Sequence, residues 1–524
     1  MFDLLIQGGT IVDGSGEPRF AGDVAVRDDR IAAVGRLDGA AAQQTIDATG
    51  MIVAPGFVDV HNHSDGWMLK TPHQTAKTLQ GFSTEILMAD GISYAPVNSH
   101  TAREWLFYLR ALDGLRLDEY TGWESLADYM HRIHGRNVQN AATHIPYANV
   151  RSLACGFGRQ TVDDFQMRTI EQEIRRGMSE GAVGLSTGLD YIVQCFSPTD
   201  ELVEACRVVA EFDGLYVTHV RYKKGLLPAL EEAVEIGKRS GVRVHISHLK
   251  GQSPGQVEQV LHYIDTVARN EIDISFDVYP YQPGSTMLSY LMPYEAWVDG
   301  PLAALSRLQR PEVQTQFRDG LKAYRLDLDH IRIAWVASKE NSQHQGRLLS
   351  EYVDQMGLPA EEALLNLLIE ERLAVLLVFD EGDDALVEPF LSHDLYMMGT
   401  DGIHTADGPV HPRQFGSVGR FLGHCVRETK LLSLEQAVCA LSRRPAERFG
   451  LENRGIVKEG HFADIVTFDA ETITDRATFL DPRRETTGVD TLLVNGTTVV
   501  RHGLPDESLA DRHPGRFLKF RAEK

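Results

Sequence analysis

The sequence predicts an α/β fold: a TIM-like (β/α)8 barrel with a small β-sandwich domain formed by both chain termini and an insertion before the last barrel strand. Three observations lead there. Short apolar runs alternate with helix-like stretches through the middle of the 524-residue chain, strand-and-turn patterns occupy both ends, and residues able to bind metal recur where the middle runs stop.

In the middle, the apolar runs fall at 56–60, 84–88, 141–145, 182–185, 215–217, 242–246, 272–276 and 396–398, and helical periodicity fills 161–178, 200–212, 226–240 and 254–268. Eight runs of strand length with intervening helices fit a closed parallel barrel better than an open sheet. The alternation breaks between Tyr281 and Tyr396, where there is far more chain than one crossover helix needs. Helical runs at 313–326 and 360–371 and strand-like runs at 331–336 and 373–378 mark an insertion before the eighth strand.

At the N-terminus, strand-like runs at 4–6, 10–12, 23–26 and 31–34 are split by Gly8-Gly9, by a turn at 13–18 and by Asp28-Asp29. The far end repeats the style at 463–468, 491–494 and 499–500, around the turn Asn495-Gly496. Each terminal piece alone has little core to bury, so the two are expected to share one domain. The expected divisions are 1–54 for the N-terminal part of the β-domain, 55–450 for the barrel with its insertion at about 285–372, and 451–524 for the C-terminal part and tail.

A hydrophobic content of 43% with 24% charged residues is that of an ordinary soluble chain, no apolar stretch reaches spanning length, and the opening MFDLLIQGG lacks the basic lead of a secretion signal. A cytoplasmic protein with no membrane partner is expected. With 52 Lys+Arg against 74 Asp+Glu, the formal charge of -22 works against a nucleic-acid partner and leaves room for a local basic pocket. Five Cys, none at CxxC or Cys/His ligand spacing, point neither to a disulfide framework nor to a cysteine metal cluster. Barrels of this size often associate into homo-oligomers, but no motif here fixes one.

Residues two apart on a strand face the same way, so His61 and His63, which follow the run FVDV, can address one ion. An HxH pair alone is a cheap pattern, and repetition decides. His219 closes LYVT, His248 closes VRVHIS and Asp401 follows LYMMGT, all where barrel strands give way to loops that converge over one mouth. Imidazoles and carboxylates gathered there are the ligand set of Zn²⁺ or a similar divalent metal, one or two ions; without an ion they would be desolvated for nothing.

Asp90, after EILMA and before Gly91, either contacts metal or caps a turn. The fourth strand ends in Ser186 to Tyr191 and has no Lys to be carboxylated as a bridging ligand. Asp401 is the candidate general base on a metal-activated water, against the bland reading of an Asp-Gly turn. His245, an odd number of residues from His248, is read as a packed histidine. The mouth also receives Tyr191, Lys250 and Tyr281, whose ammonium and phenols can hold a carboxylate, and Arg221 with Lys223 and Lys224 adds local positive charge. A small anionic substrate is therefore expected, against the alternative that Lys250 and the Arg221 segment are merely solvated loops.

The segments VAPGFVDVHNHSD, GLSTGLDY, THVR, ISHLKG, FDVYPYQPGST, GTDG, HPRQFG, RRPAERFGLENRGIVKEGHFADIVTFD and VNGTTVV run nearly end to end. In them the chain resembles the N-acyl-D-amino-acid deacylases (D-aminoacylases) of the amidohydrolase superfamily. The resemblance implies metal binding by His61, His63, His219 and His248, with Asp401 as the acid/base on water. It also implies a grip by Tyr191, Lys250 and Tyr281 on the α-carboxylate of an acylated D-amino acid. Three departures stand out: Met88-Ala89-Asp90-Gly91 where the family usually reads Gly-Asn-Cys-Gly, Pro146-Tyr147 where it reads Gly-His, and Tyr222-Lys223-Lys224-Gly225 where an acidic residue before Gly is common. Carboxylate for thiolate is a softer-to-harder exchange that weakens a preference for Zn²⁺.

The expected function is metal-dependent hydrolysis of an N-acyl-D-amino acid to a carboxylate and a free D-amino acid. The alternative enzyme acts on an N-carbamoyl or cyclic amide in the manner of a hydantoinase or dihydropyrimidinase. A catalytically dead binding barrel would have lost its ligands, and here four His and Asp401 remain.

Overall fold

A computed structural model describes residues 1–324, 326–509 and 512–521. Leu215–His219 and Ile274–Val278 are buried along their whole length. That is why these runs lack a polar alternation: a parallel strand covered outside by helices and packed inside a barrel has no wet face.

The first barrel strand, Phe57–Asp59, pairs in parallel with Phe82–Leu87, which pairs with Asn140–Thr143. After a break at His144 the third strand resumes as Ile145–Pro146. It leads a parallel series of Gly184–Gly188, Leu215–His219, Arg243–Ile246, Ile274–Val278 and Tyr396–Met398. Val60 N donates to Met398 O at 3.1 Å, which closes the circle, and His144 N donates to Leu87 O at 3.1 Å, which joins the two halves of the third strand to its neighbour. The short parallel pair of Asn62–His63 with Gly402–Ile403 carries the seam into the mouth. The eight-stranded barrel is thus observed.

The outer helices are punctuated as their sequences dictate. Asp163 caps Asp164–Glu180 by accepting from the backbone of Phe165 and Gln166, and the helix stops at Gly181 with φ 111. Its Gly177 lies so close to the third strand that a Cβ there would meet Ile145 at 2.7 Å.

A buried polar network locks the seam beneath the mouth. Lys77 Nζ donates to Asp59 Oδ2 at 2.6 Å and to Thr400 Oγ1 at 2.5 Å, while Thr400 N and Oγ1 donate to the two oxygens of Asp59 at 2.8 and 2.7 Å. The first and last strands are thereby tied by side chains as well as by backbone.

Between the seventh and eighth strands, Ser285–Met287, Val375–Phe379 and Ile331–Val336 form a separate antiparallel sheet with Val375–Phe379 in the centre. Helix Leu349–Met356 packs against Ile331–Val336, and Pro311–Tyr324 and Ala360–Glu370 pack on each other beside it. Arg325, inside the run expected as helix at 313–326, lies outside the described residues, as do 510–511 and 522–524 of the C-terminal part.

The chain ends share one nine-stranded sheet, in which Ile52–Pro55 from the N-terminal part pairs with Ile465–Phe468 from the C-terminal part. Ile31 N donates to His461 O and Ala463 N to Asp29 O, both at 2.8 Å, so the sheet folds back on itself around a core that includes Ile6, Val24, Ile46, Ile465 and Leu493. No helix among the described residues is long and apolar enough to cross a membrane.

Candidate metal centre and active site

Four of the predicted residues, all histidines, meet around a fifth, Asp90. Its Oδ1 lies 3.6 Å from His61 Nε2 and 3.8 Å from His248 Nε2; its Oδ2 lies 3.8 Å from His63 Nε2 and 4.0 Å from His219 Nδ1. Two ligand groups result, His61 with His63 and Asp90, and Asp90 with His219 and His248, each with its ligand atoms within 4.8 Å of one another. Asp90 belongs to both. Asp401 stands at the edge of the first group, with Oδ1 3.3 Å from His63 Nε2 and 3.7 Å from His61 Nε2.

The strand ends deliver these side chains through unusual backbone. Met88, Asp90, His248 and Asp401 have φ of 65, 56, 38 and 49, a left-handed conformation that non-glycine residues seldom adopt and that clusters at functional sites. Gly399 leaves room for the convergence, since a Cβ there would meet Asp277 Oδ1 at 2.4 Å and His61 Cβ at 2.7 Å.

Each imidazole has a second partner on its outer nitrogen. His61 Nδ1 lies 3.7 Å from Asp277 Oδ2, His63 Nδ1 3.3 Å from Asp113 Oδ1, His219 Nε2 3.4 Å from Asp190 Oδ2, and His248 Nδ1 3.3 Å from the Tyr222 hydroxyl. At His219 and His248 these outer contacts are hydrogen bonds, of the kind that orient a ligating imidazole, and their inner nitrogens meet each other at 3.0 Å; at His61 and His63 the carboxylates face the outer nitrogens without a hydrogen bond. His245 stands behind them, hydrogen-bonded to Asp277 at 3.0 Å and to Ser275 at 2.7 Å. Asp113, Asp190 and Asp277 were not singled out from sequence, because nothing local marks a carboxylate whose partner is distant in the chain.

The donor set fits a divalent cation. His61 Nε2 and Asp90 Oδ1 are buried without any hydrogen-bond partner, a costly state unless an ion takes up their lone pairs. Burial disfavours the charged imidazole at His61, yet Asp90, Asp277 and Asp401 outweigh it and hold the ring up at about 9. At His63 burial is likewise outweighed, by Asp113 and Asp401, which hold it up at about 10. The carboxylates therefore make the site strongly attractive to positive charge. Burial pushes Asp401 upward, but Arg413, with Nη1 2.9 Å from Oδ2, and His63 hold it well below the usual carboxylate range, so it is ionised.

The centre opens into a cavity of about 680 Å³. Tyr191 and Lys250 line it, as expected of residues at the mouth. Lys250 Nζ donates to the Tyr279 hydroxyl at 2.5 Å and to Gln282 O at 2.9 Å, and burial, with Arg413 nearby, pushes its ammonium down to about 7.

Two expected substrate-binding residues are elsewhere. The Tyr281 hydroxyl donates to Asp475 Oδ2 at 3.2 Å, and it is Tyr279 that lines the cavity. The tight turn in which Tyr281 N donates to Tyr279 O at 2.9 Å breaks the strand alternation that would have put both rings on one face. Arg221 is buried and saturated, donating to Glu232 and to the carbonyls of Leu189, Cys195 and Ser197. From its place after the fifth strand it braces the loop after the fourth instead of facing the cavity. Arg413, from HPRQFG, was not singled out as a site residue; it carries the second cation of the cavity wall and stacks on Tyr279 with 4.4 Å to the ring centroid.

A ligand set of imidazoles and shared carboxylate, an ionised Asp beside it and a cationic pocket, all at the carboxyl end of a closed barrel, define a metal-dependent hydrolase. The amidohydrolase family profile matches residues 44–305 and 382–500. The chain is 32% identical to a D-aminoacylase of Alcaligenes xylosoxydans xylosoxydans, over 99% of this chain and 97% of the relative. It is also 32% identical to an N-acyl-D-glutamate deacylase of the same organism, over 99% and 96%. The crystal structure of the N-acyl-D-glutamate deacylase from Bordetella bronchiseptica, complexed with zinc and a phosphonate inhibitor that mimics the tetrahedral intermediate, superposes with a TM-score of 0.83 at 31% identity, covering 99% of both chains. The chain belongs to the amidohydrolase family, in the group of the D-aminoacylases and N-acyl-D-glutamate deacylases.

Proposed function

We propose that this protein hydrolyses the amide bond of N-acyl-D-amino acids, releasing a carboxylate and a free D-amino acid. The observation that carries the reading is that two histidine pairs share Asp90 beside an ionised Asp401, in a cavity that Lys250 and Arg413 also line. In this reading His61, His63, His219, His248 and Asp90 hold one or two ions. The relative from Bordetella holds zinc; the all-nitrogen-and-oxygen donor set here suits Zn²⁺ and also harder ions such as Mn²⁺ or Co²⁺. A divalent ion in such a set supplies Lewis acidity, polarising a carbonyl and acidifying water.

Asp401, kept as a carboxylate by Arg413, accepts a proton from the attacking water and returns it to the departing nitrogen, which leaves as a neutral amine. Lys250 and Arg413 meet the substrate's α-carboxylate across from the centre, and the Tyr191 ring, 4.9 Å from that of His219, packs over the reacting amide. Held at both ends, the substrate is attacked in an effectively intramolecular step. Amine release from N-acetyl-D-amino acids, their L-isomers, N-carbamoyl-D-amino acids and hydantoins by the metal-loaded protein is the test. Release confined to N-acyl-D-amino acids is expected, and turnover of N-carbamoyl or cyclic amides instead would replace this reading.

A further inference from the structure

The amino acid's side chain leaves from the same carbon as its carboxylate, so whichever wall flanks the carboxylate anchor must receive it. Lys250 defines that wall. Its Nζ is bonded to Gln282 O, and Gln282 Nε2 in turn donates to Gln252 Oε1 at 3.1 Å. Gly284, beside it, accepts from Phe379 N at 2.9 Å. Gln252, Gln256, Leu226 and Phe379 all line the cavity. None of them is charged.

The cations near the mouth are committed elsewhere. Among the described residues lining the cavity Lys250 and Arg413 are the only lysine and arginine, the histidines belong to the metal centre, and Arg413 is paired with Asp401. Lys223 turns its ammonium onto Tyr290 O at 2.7 Å and lies over the rings of Tyr290 and Tyr294. Arg420 donates to Pro280 O and pairs with Asp384. A second carboxylate on the substrate would meet amides, an isobutyl group and a phenyl ring with no counter-ion beside it, and would keep water only on the exposed Gln252 side.

Resting on the proposed function, we infer that this enzyme selects N-acyl-D-amino acids with neutral, largely apolar side chains and rejects those of D-glutamate and D-aspartate. Gln252, Gln256, Leu226 and Phe379 are the specificity-determining wall. The comparison of kcat/KM for N-acetyl-D-leucine, N-acetyl-D-glutamine and N-acetyl-D-glutamate tests it, since glutamine keeps the size of glutamate without the charge. Both neutral substrates should exceed N-acetyl-D-glutamate at least about tenfold, because burying an unpaired carboxylate is costly where glutamine's amide is not. A smaller ratio, or the reverse order, overturns the inference.

Gln252→Arg, on an exposed stretch of the loop, should narrow the gap chiefly by lowering KM for N-acetyl-D-glutamate; an unchanged gap would deny the wall its role. Should no N-acyl-D-amino acid be turned over, the proposed function fails separately. Calorimetric binding of the same three compounds to Asp401→Asn protein then decides the pocket: tighter binding of the two neutral compounds supports the inference, and equal or weaker binding overturns it.

Discussion

Two buried polar regions lie one above the other in this barrel, and they are built in opposite ways. Beneath the mouth, Lys77, Asp59 and Thr400 satisfy one another at 2.5 to 2.8 Å. At the mouth, four imidazoles face Asp90 at 3.6 to 4.0 Å, with His61 Nε2 and Asp90 Oδ1 lacking any hydrogen-bond partner. Charges that complete one another internally form a strut; a convergence that leaves His61 Nε2 and Asp90 Oδ1 unpartnered, even though His219 Nδ1 and His248 Nε2 meet at 3.0 Å, forms a site for something the chain does not supply. The contrast separates structural from functional polar burial within a few residues of the same strands, since Asp59 and His61 are neighbours on the first strand and its loop.

The sharpest way to break the contrast is at the edge of the upper region. Asp401→Asn removes the proton acceptor but leaves the five residues around the ion, so kcat should fall about 10³-fold with metal content unchanged. Near-native turnover in protein that still holds metal would remove Asp401 from its role.

In the lower region Lys77→Met strands the Asp59 carboxylate in a dry interior, and unfolding free energy should drop by about 3–5 kcal/mol. Metal per folded chain should not change. A denaturation midpoint close to that of the unsubstituted protein would mean the lower network is not a strut.

The outer partners come next. Asp113→Asn and Asp277→Asn should each weaken metal affinity about 10- to 100-fold, read by competition with a chelator, because His63 and His61 lose the carboxylate charges that face their outer nitrogens. Unchanged affinity in both would indicate that these carboxylates only fill space. Smallest is Tyr281→Phe, expected to alter kcat/KM by less than about twofold, as its hydroxyl serves Asp475, whereas Lys250→Met should raise KM about tenfold by removing a charge-assisted contact. Equal effects of the two would restore Tyr281 to the carboxylate grip.

What could be read from the sequence follows the same division. The barrel was legible because its strands are short runs buried on both faces and its helices carry their own periodicity, both local signals. His61, His63, His219, His248 and Asp401 were legible because strand ends in a closed barrel converge whatever lies between them. Asp90 was visible as a candidate, but its place between two histidine pairs is a property of three dimensions. Tyr281 and Arg221 were misplaced because a tight turn after the seventh strand and a buried guanidinium's need for acceptors override any position-counting rule. Arg413, Asp113 and Asp190 carry no local mark at all; each acquires its meaning only from a partner that the chain brings from far away, such as Asp401 for Arg413.

Anomalous diffraction from crystals of the protein grown with Zn²⁺ is the most direct test of the central claim. One or two peaks should appear beside Asp90, each within coordination distance of a histidine pair. A protein with full hydrolytic activity and no anomalous density between His61, His63, His219 and His248 would contradict the account.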